Sequence, residues 1–196
     1  MNTINTQTHT LANGYAIRIL IHPDENTGAP WDMDEGHGPV SDWSTRDKRP
    51  GEWILNSYRG AHRFYDAAEA ARIAERDGWG LGTDEITGLV ARLKKADASE
   101  LTRGEIIAEA VRRDFDFLRG WCNDEWSYIG FTAELMHERE NGVFEVVQKL
   151  NASCWGFEDT RGGRSYMLEE AAGEATREAL EFLESIEGIE SALIFE

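Results

Sequence analysis

The residue types best suited to chemistry crowd into one loop. His22, Asp24, Asp32, Asp34, Glu35 and His37 offer imidazole and carboxylate donors within a short stretch, a set that suits a hard cation or a mixed metal site. Asp32, Asp34 and Gly36 share part of a calcium-loop pattern, but the full spacing and the closing Glu are missing. The competing reading is an acidic surface loop built from turn formers. If the metal reading holds, residues 22–42 are the centre of a metal-dependent enzyme or metal-binding protein.

Other combinations are thinner. Glu134 and His137 stand three apart, as in helical carboxylate-bridged metal sites. Their segment alternates like a strand, however, and there positions three apart face opposite ways. Cys122 or Cys154 could act as a nucleophile with His137 only if the fold brings them together. Gly78, Gly80 and Gly82 miss the dinucleotide fingerprint, since the third glycine falls wrong and no strong βαβ unit surrounds them. The chain has no GxSxG, Walker or zinc-deaminase pattern. The expectation is a non-enzyme with no catalytic residues, no cofactor and no bound metal. The run Tyr58-Arg-Gly-Ala-His-Arg-Phe-Tyr65 interleaves bases and aromatics, as single-strand nucleic-acid binders do. In so acidic a chain, these bases are expected to pair with its own surplus carboxylates, and the aromatics to join the core.

The strongest pattern is the C-terminal run from Ser165 to Glu187. Leu168, Ala171, Ala172, Ala175, Ala179, Phe182, Leu183 and Ile186 recur at helical steps and mark one buried face. Glu169, Glu170, Glu174, Glu178, Glu181, Glu184 and Glu187 occupy the other surfaces against one base, Arg177. Like charges one turn apart repel by about 0.2–0.5 kcal/mol per pair, so burial of the apolar face must drive the helix. Such a row can be a solvated face, or it can be displayed to imitate nucleic-acid phosphates. On the second reading Glu170, Glu174, Glu178 and Glu181 form the partner-binding ridge. The loop acids Asp24, Asp32, Asp34 and Glu35 supply a second row.

The rest of the chain must position these groups. Residues 1–13 are polar and expected to fray; Asn13-Gly14 signals a turn. Tyr15–His22 reads as a strand that Pro23 ends. Residues 23–51 form a long loop, acidic and then basic, that Trp31 and Trp43 pin to the core. A short strand is expected near Trp53–Tyr58. Asp66 with Glu69, and Thr102 with Glu105, have capping-box spacing; they open helices in a helical part spanning 66–120, with another helix over about 84–95. Residues 125–137 alternate, Asn141-Gly142 signals a hairpin, and Val143–Cys154 returns. A Gly-rich connection leads into the acidic helix, and Ala192–Glu196 is expected to add a last short strand. This order predicts a single domain of the α+β class, a mainly antiparallel sheet with helices packed on one side.

Composition sets the outer limits. The chain has 196 residues, 41% hydrophobic and 29% charged, enough for a folded domain with a core. It has no apolar run long enough to span a membrane, no secretory-type N-terminus, and two cysteines without a CxxC pattern. Twenty bases against 37 acids give a net charge of −17. That disfavours direct nucleic-acid or anionic-membrane binding and favours a basic protein groove.

One resemblance goes further. Glu125-Trp-Ser-Tyr-Ile-Gly130, then Ser153-Cys-Trp-Gly-Phe-Glu-Asp159, then Tyr166 opening an acidic Ala/Glu helix, resembles a group of small proteins of tailed phages and prophages. The likeness covers residues 124–187. It implies a phage or mobile-element origin and action in the cytoplasm of a bacterial host. Small acidic proteins of that origin include anti-CRISPR and antirestriction inhibitors, several of them DNA-like in charge. The resemblance therefore implies an inhibitor of a host nucleic-acid-targeting complex, or else a phage structural or assembly protein. It brings no catalytic residues.

Overall fold

The computed structural model describes residues 3–33 and 36–193, with the side chains of Arg161 and of residues 187–193 left aside. In chain order the elements are β1 (Asn5–Thr10), β2 (Tyr15–Pro23), α1 (Pro30–Met33), β3 (Glu52–Tyr58), β4 (Ala61–Asp66), α2 (Ala67–Asp77), α3 (Thr83–Leu93), α4 (Arg103–Cys122), β5 (Tyr128–Glu138), β6 (Phe144–Glu158) and α5 (Arg161–Leu193). The fold is α+β, as expected. The described residues group into two compact units where the sequence reading treats the chain as one domain. The first holds the residues through Thr27 and those from Trp126 onward; the second is the intervening Gly28–Glu125.

The first unit is a four-stranded antiparallel sheet in the order β1-β2-β5-β6. Its central strands carry Ile17, Ile19, Ile21, Ile129, Phe131, Ala133 and Leu135 in one core, against Met167, Ala171, Ala175 and Ala179 of α5. The small alanines let the helix lie close to the sheet. Burying Met167, worth about 2 kcal/mol, already outweighs several of the helix's like-charge contacts. Residues 5–10 are not frayed but paired: β1 runs antiparallel to β2 from Asn5↔Ile21 to Thr10↔Ala16. Asn13 and Gly14, with φ of 55° and 75°, make the tight turn between them, and Tyr15 N donates to Ala12 O at 3.1 Å. The expected tail strand is corrected too. Ala192 and Leu193 continue α5, and the remainder of that segment lies outside the described residues.

β6 is longer than expected and irregular. Its register to β5 shifts between Ile129↔Phe157 and Phe131↔Cys154, so Trp155 and Gly156 face Gly130 alone. A second shift, between Thr132↔Ser153 and Glu134↔Lys149, sets Leu150, Asn151 and Ala152 against Ala133. The first bulge accounts physically for Gly130, Trp155 and Gly156. The indole of Trp155 lies on Gly130, where an added Cβ would overlap the ring and stand 2.7 Å from Cys154 O. Gly156 takes the left-handed φ of 83° that the bulge requires.

The second unit packs α2, α3 and α4 with a two-stranded sheet, β3-β4. Strand β4 falls on the basic–aromatic run, where no strand is expected from the sequence. Its core joins Leu55, Tyr65, Ala70, Ala74, Val111, Phe115 and Leu118. Helix boundaries follow the caps read from sequence. Asp66 accepts from Glu69 N at 2.9 Å, Gly78 closes α2 at φ 72°, and Thr102 with Glu105 forms the capping box of α4.

Candidate partner-binding surface

The outer face of α5 is built by phase. Glu170, Glu174, Arg177, Glu181 and Glu184 fall within one stripe about 80° wide, opposite the alanine face. These side chains, and Glu169 beside them, are exposed. Among the described residues no cation lies within salt-bridge distance of these five glutamates. The acids of the second unit contrast with this. Glu52 pairs with Arg46, Glu105 with Lys95, and Glu109 with Arg92, Arg112 and Arg113.

Two of the expected partner-binding acids are committed inside the first unit. Glu178 turns off the stripe towards β6 and accepts from Asn151 N at 2.8 Å, Ala152 N at 2.7 Å and Asn151 Nδ2 at 2.8 Å. These are the N–H groups that the second bulge removes from the ladder. Asp24 does the same at the first bulge. It takes Gly156 N at 3.0 Å, together with Asn26 N, Thr27 N and Thr27 Oγ1. Burial pushes both carboxyls up, but these hydrogen bonds outweigh it and hold each below its ordinary value. Glu178→Gln keeps one acceptor and is expected to lose roughly 1–2 kcal/mol of stability. Glu174→Gln on the open stripe should stay within about 0.5 kcal/mol of the parent in the same thermal denaturation series.

Asp32 is exposed in α1 of the second unit. Asp34 and Glu35 lie outside the described residues. The candidate metal donors take protein partners instead. His22 Nε2 stands 2.9 Å from Thr132 Oγ1, with Trp155 stacked on the ring. His37 Nδ1 stands 2.6 Å from Asp114 Oδ1. Among the described residues no group of three or more His, Cys, Asp or Glu is placed to hold a metal ion. Glu134 pairs across the strands with Arg18, and His137 packs on Tyr15. Cys154 pairs with Phe131, six residues along β5 from His137 and so about 20 Å away; no nucleophile–base pair forms there. Burial pushes the Cys122 thiol up, away from a reactive thiolate.

In the second unit a cavity of about 430 Å³ opens among Trp53, Ala67, Ala71, Leu89, Leu93 and Ala108. Of the charged groups on its wall, Arg92 and Arg112 are bonded to Glu109, and Glu105 is bonded to Lys95. No helix among the described residues is long and apolar enough to cross a membrane. No family model, curated protein or solved structure matches the chain. What the geometry defines is an α+β protein that presents one open acidic helix face.

Proposed function

We propose that the protein is an acidic inhibitor of phage or mobile-element origin. It seats the outer face of α5 in the Lys/Arg-lined groove of a host nucleic-acid-targeting defence complex, of the CRISPR or restriction type. The observation that carries this reading is the contrast in pairing. The second unit ties many of its carboxylates to its own cations, while among the described residues the exposed α5 glutamates have no cation within salt-bridge reach. The surface is narrower than the sequence suggests, because Glu178 and Asp24 serve the sheet. Glu170, Glu174 and Glu181 remain, with Glu184 extending the stripe.

The match to DNA is in charge rather than in spacing. At 1.5 Å rise per residue, Glu170 to Glu174 spans about 6 Å and Glu174 to Glu181 about 10 Å. Phosphates on one strand recur about every 3.4 Å. The helix therefore supplies field and steering, and binding should be fast and salt-sensitive. The test mixes the protein with a crRNA-guided surveillance complex, and separately with restriction enzymes, and measures target DNA binding. Inhibition should appear at low salt. It should fall at least tenfold in the Glu170→Lys, Glu174→Lys, Glu181→Lys triple variant, whose fold should be unchanged by circular dichroism. Equal inhibition by the triple variant, or none by the parent across the panel, removes the reading.

A further inference from the structure

The β3–β4 hairpin carries a surface of the opposite character, and it stands independently of the acidic helix. The chain has carboxylates to spare, yet the bases here are not neutralised as the sequence reading expects. Arg46 is paired, donating to Glu52 at 2.7 and 2.6 Å. Among the described residues Lys48, Arg49, Arg59 and Arg63 form no salt bridge. The two hairpin arginines lie on rings instead. The Arg63 guanidinium lies 4.9 Å from the Trp31 ring centre and 5.2 Å from that of Trp43. Arg59 lies 4.9 Å over Tyr58. Trp43 meets Tyr58 edge-on at 6.5 Å. The result is a continuous ladder: Trp31, Arg63, Trp43, Tyr58, Arg59.

Three features make the ladder a binding surface rather than a piece of core. Its outer rings are open, Tyr58 at 60% and Trp43 at 44% exposure, although burying them would have been favourable. Neither arginine donates to a protein acceptor among the described residues; the Arg63 Nε is buried without a partner, so it is the terminal nitrogens of Arg63, and the guanidinium of Arg59, that keep N–H groups for another acceptor. The frame is also fixed in advance. Ser44 and His62 exchange backbone hydrogen bonds at 2.9 and 2.7 Å, Ser57 Oγ stands 2.8 Å from His62 Nδ1, and Arg59-Gly60 turn the hairpin at φ of 49° and 82°.

We propose that this ladder binds single-stranded nucleic acid, with bases stacking on Tyr58 and Trp43 and phosphates taken by Arg59 and Arg63. Open rings suit unstacked bases, which an acidic peptide lacks and a duplex hides. The net charge of −17 opposes long-range attraction, so binding should be modest and salt-dependent.

The test titrates the full chain into a fluorescein-labelled oligothymidylate of about 20 nucleotides at about 50 mM salt, read by anisotropy. A Kd on the order of 10 μM is expected, rising with salt. Tyr58→Ala should weaken binding on the order of tenfold, and Arg59→Glu at least as much. Tyr58 is the exposed last residue of β3 and Arg59 an exposed turn residue, so circular dichroism should be unchanged. A duplex of the same length should bind more weakly, and excess poly-L-glutamate should not displace the strand. Absence of binding at about 100 μM protein, or full binding by both variants, overturns the proposal. Displacement by poly-L-glutamate at matched charge also overturns it and assigns the surface to acidic polypeptides.

Discussion

Replacing Asp114 with alanine is expected to destabilise the protein by about 3–5 kcal/mol. Asp114 holds three groups at once: His37 Nδ1 at 2.6 Å, Gly38 N at 2.8 Å and the Tyr65 hydroxyl at 2.7 Å. Tyr65 is fully buried, and burial, then Asp114 beside it, pushes its phenol well above the ordinary range. Without the carboxylate, a buried O–H and a buried N–H lose their acceptors, each at about 1–3 kcal/mol. Val111 O, 3.5 Å from the hydroxyl, is a poor substitute. Gly38 belongs to the same design, since a Cβ there would stand 2.5 Å from the Tyr65 oxygen. Urea denaturation followed by tryptophan fluorescence measures the loss. Asp114→Asn, which keeps one acceptor, should lose less. An Asp114→Ala variant within about 1 kcal/mol of the parent would show that the cluster does not hold the unit together.

Glu109→Gln should lose roughly 2–3 kcal/mol at neutral pH, and this loss should disappear in acid. Glu109 is 4% exposed and takes the guanidinium groups of Arg112, Arg113 and Arg92. The hydrogen bond from Arg112 leads in holding its carboxyl at about 2, against burial and with help from the Arg112 and Arg92 charges. The folded value lies below the unfolded one. The stabilisation is therefore complete above about 4.5 and is lost as pH falls from there through 2. Solvent around the half-exposed arginines trims it to roughly 2 kcal/mol. Melting temperatures of parent and variant should converge between pH 4.5 and 2. Glu52 and Glu105 are also held at about 2, so only the difference between the two curves reports Glu109. A gap that stays constant with pH would mean that packing, not charge, is the source.

Local chemistry made much of the fold legible. Asp66, Gly78, Thr102 and Asn13-Gly14 act on neighbours a few residues away, and each marks its boundary. β1 was hidden because Asn5–Thr10 is an edge strand of polar residues with little burial, and its pairing to β2 leaves no hydrophobic alternation to read. β4 is hidden because its burial does not alternate: Phe64 and Tyr65 join the core as expected of the run's aromatics, but they are neighbours in sequence and give no strand period to read. The acidic face of α5 was readable from periodicity. The separate role of Glu178 was not, because Glu174 and Glu178 are the same residue type one turn apart. Only the bulge at Asn151 and Ala152, set by pairing across the sheet, distinguishes them. Asp24 fails to announce its role for the same reason: its acceptor duty depends on Gly156, 132 positions away.

The order of the strands also dictates a timetable for synthesis. β2 lies between β1 and β5, and its Arg18 meets Glu134 across 116 residues of chain. At roughly 5–20 residues per second, the ribosome delivers that partner about ten seconds after β2 emerges. In the interval Ile17, Ile19 and Ile21 have only the polar β1 hairpin beside them and no helix to cover them, while Gly28–Glu125, an unbroken stretch, can collapse as soon as it is released. Helix α5, made after all four strands, is the lid that ends this exposure, so a ribosome stalled before it leaves a sticky sheet for chaperones to guard.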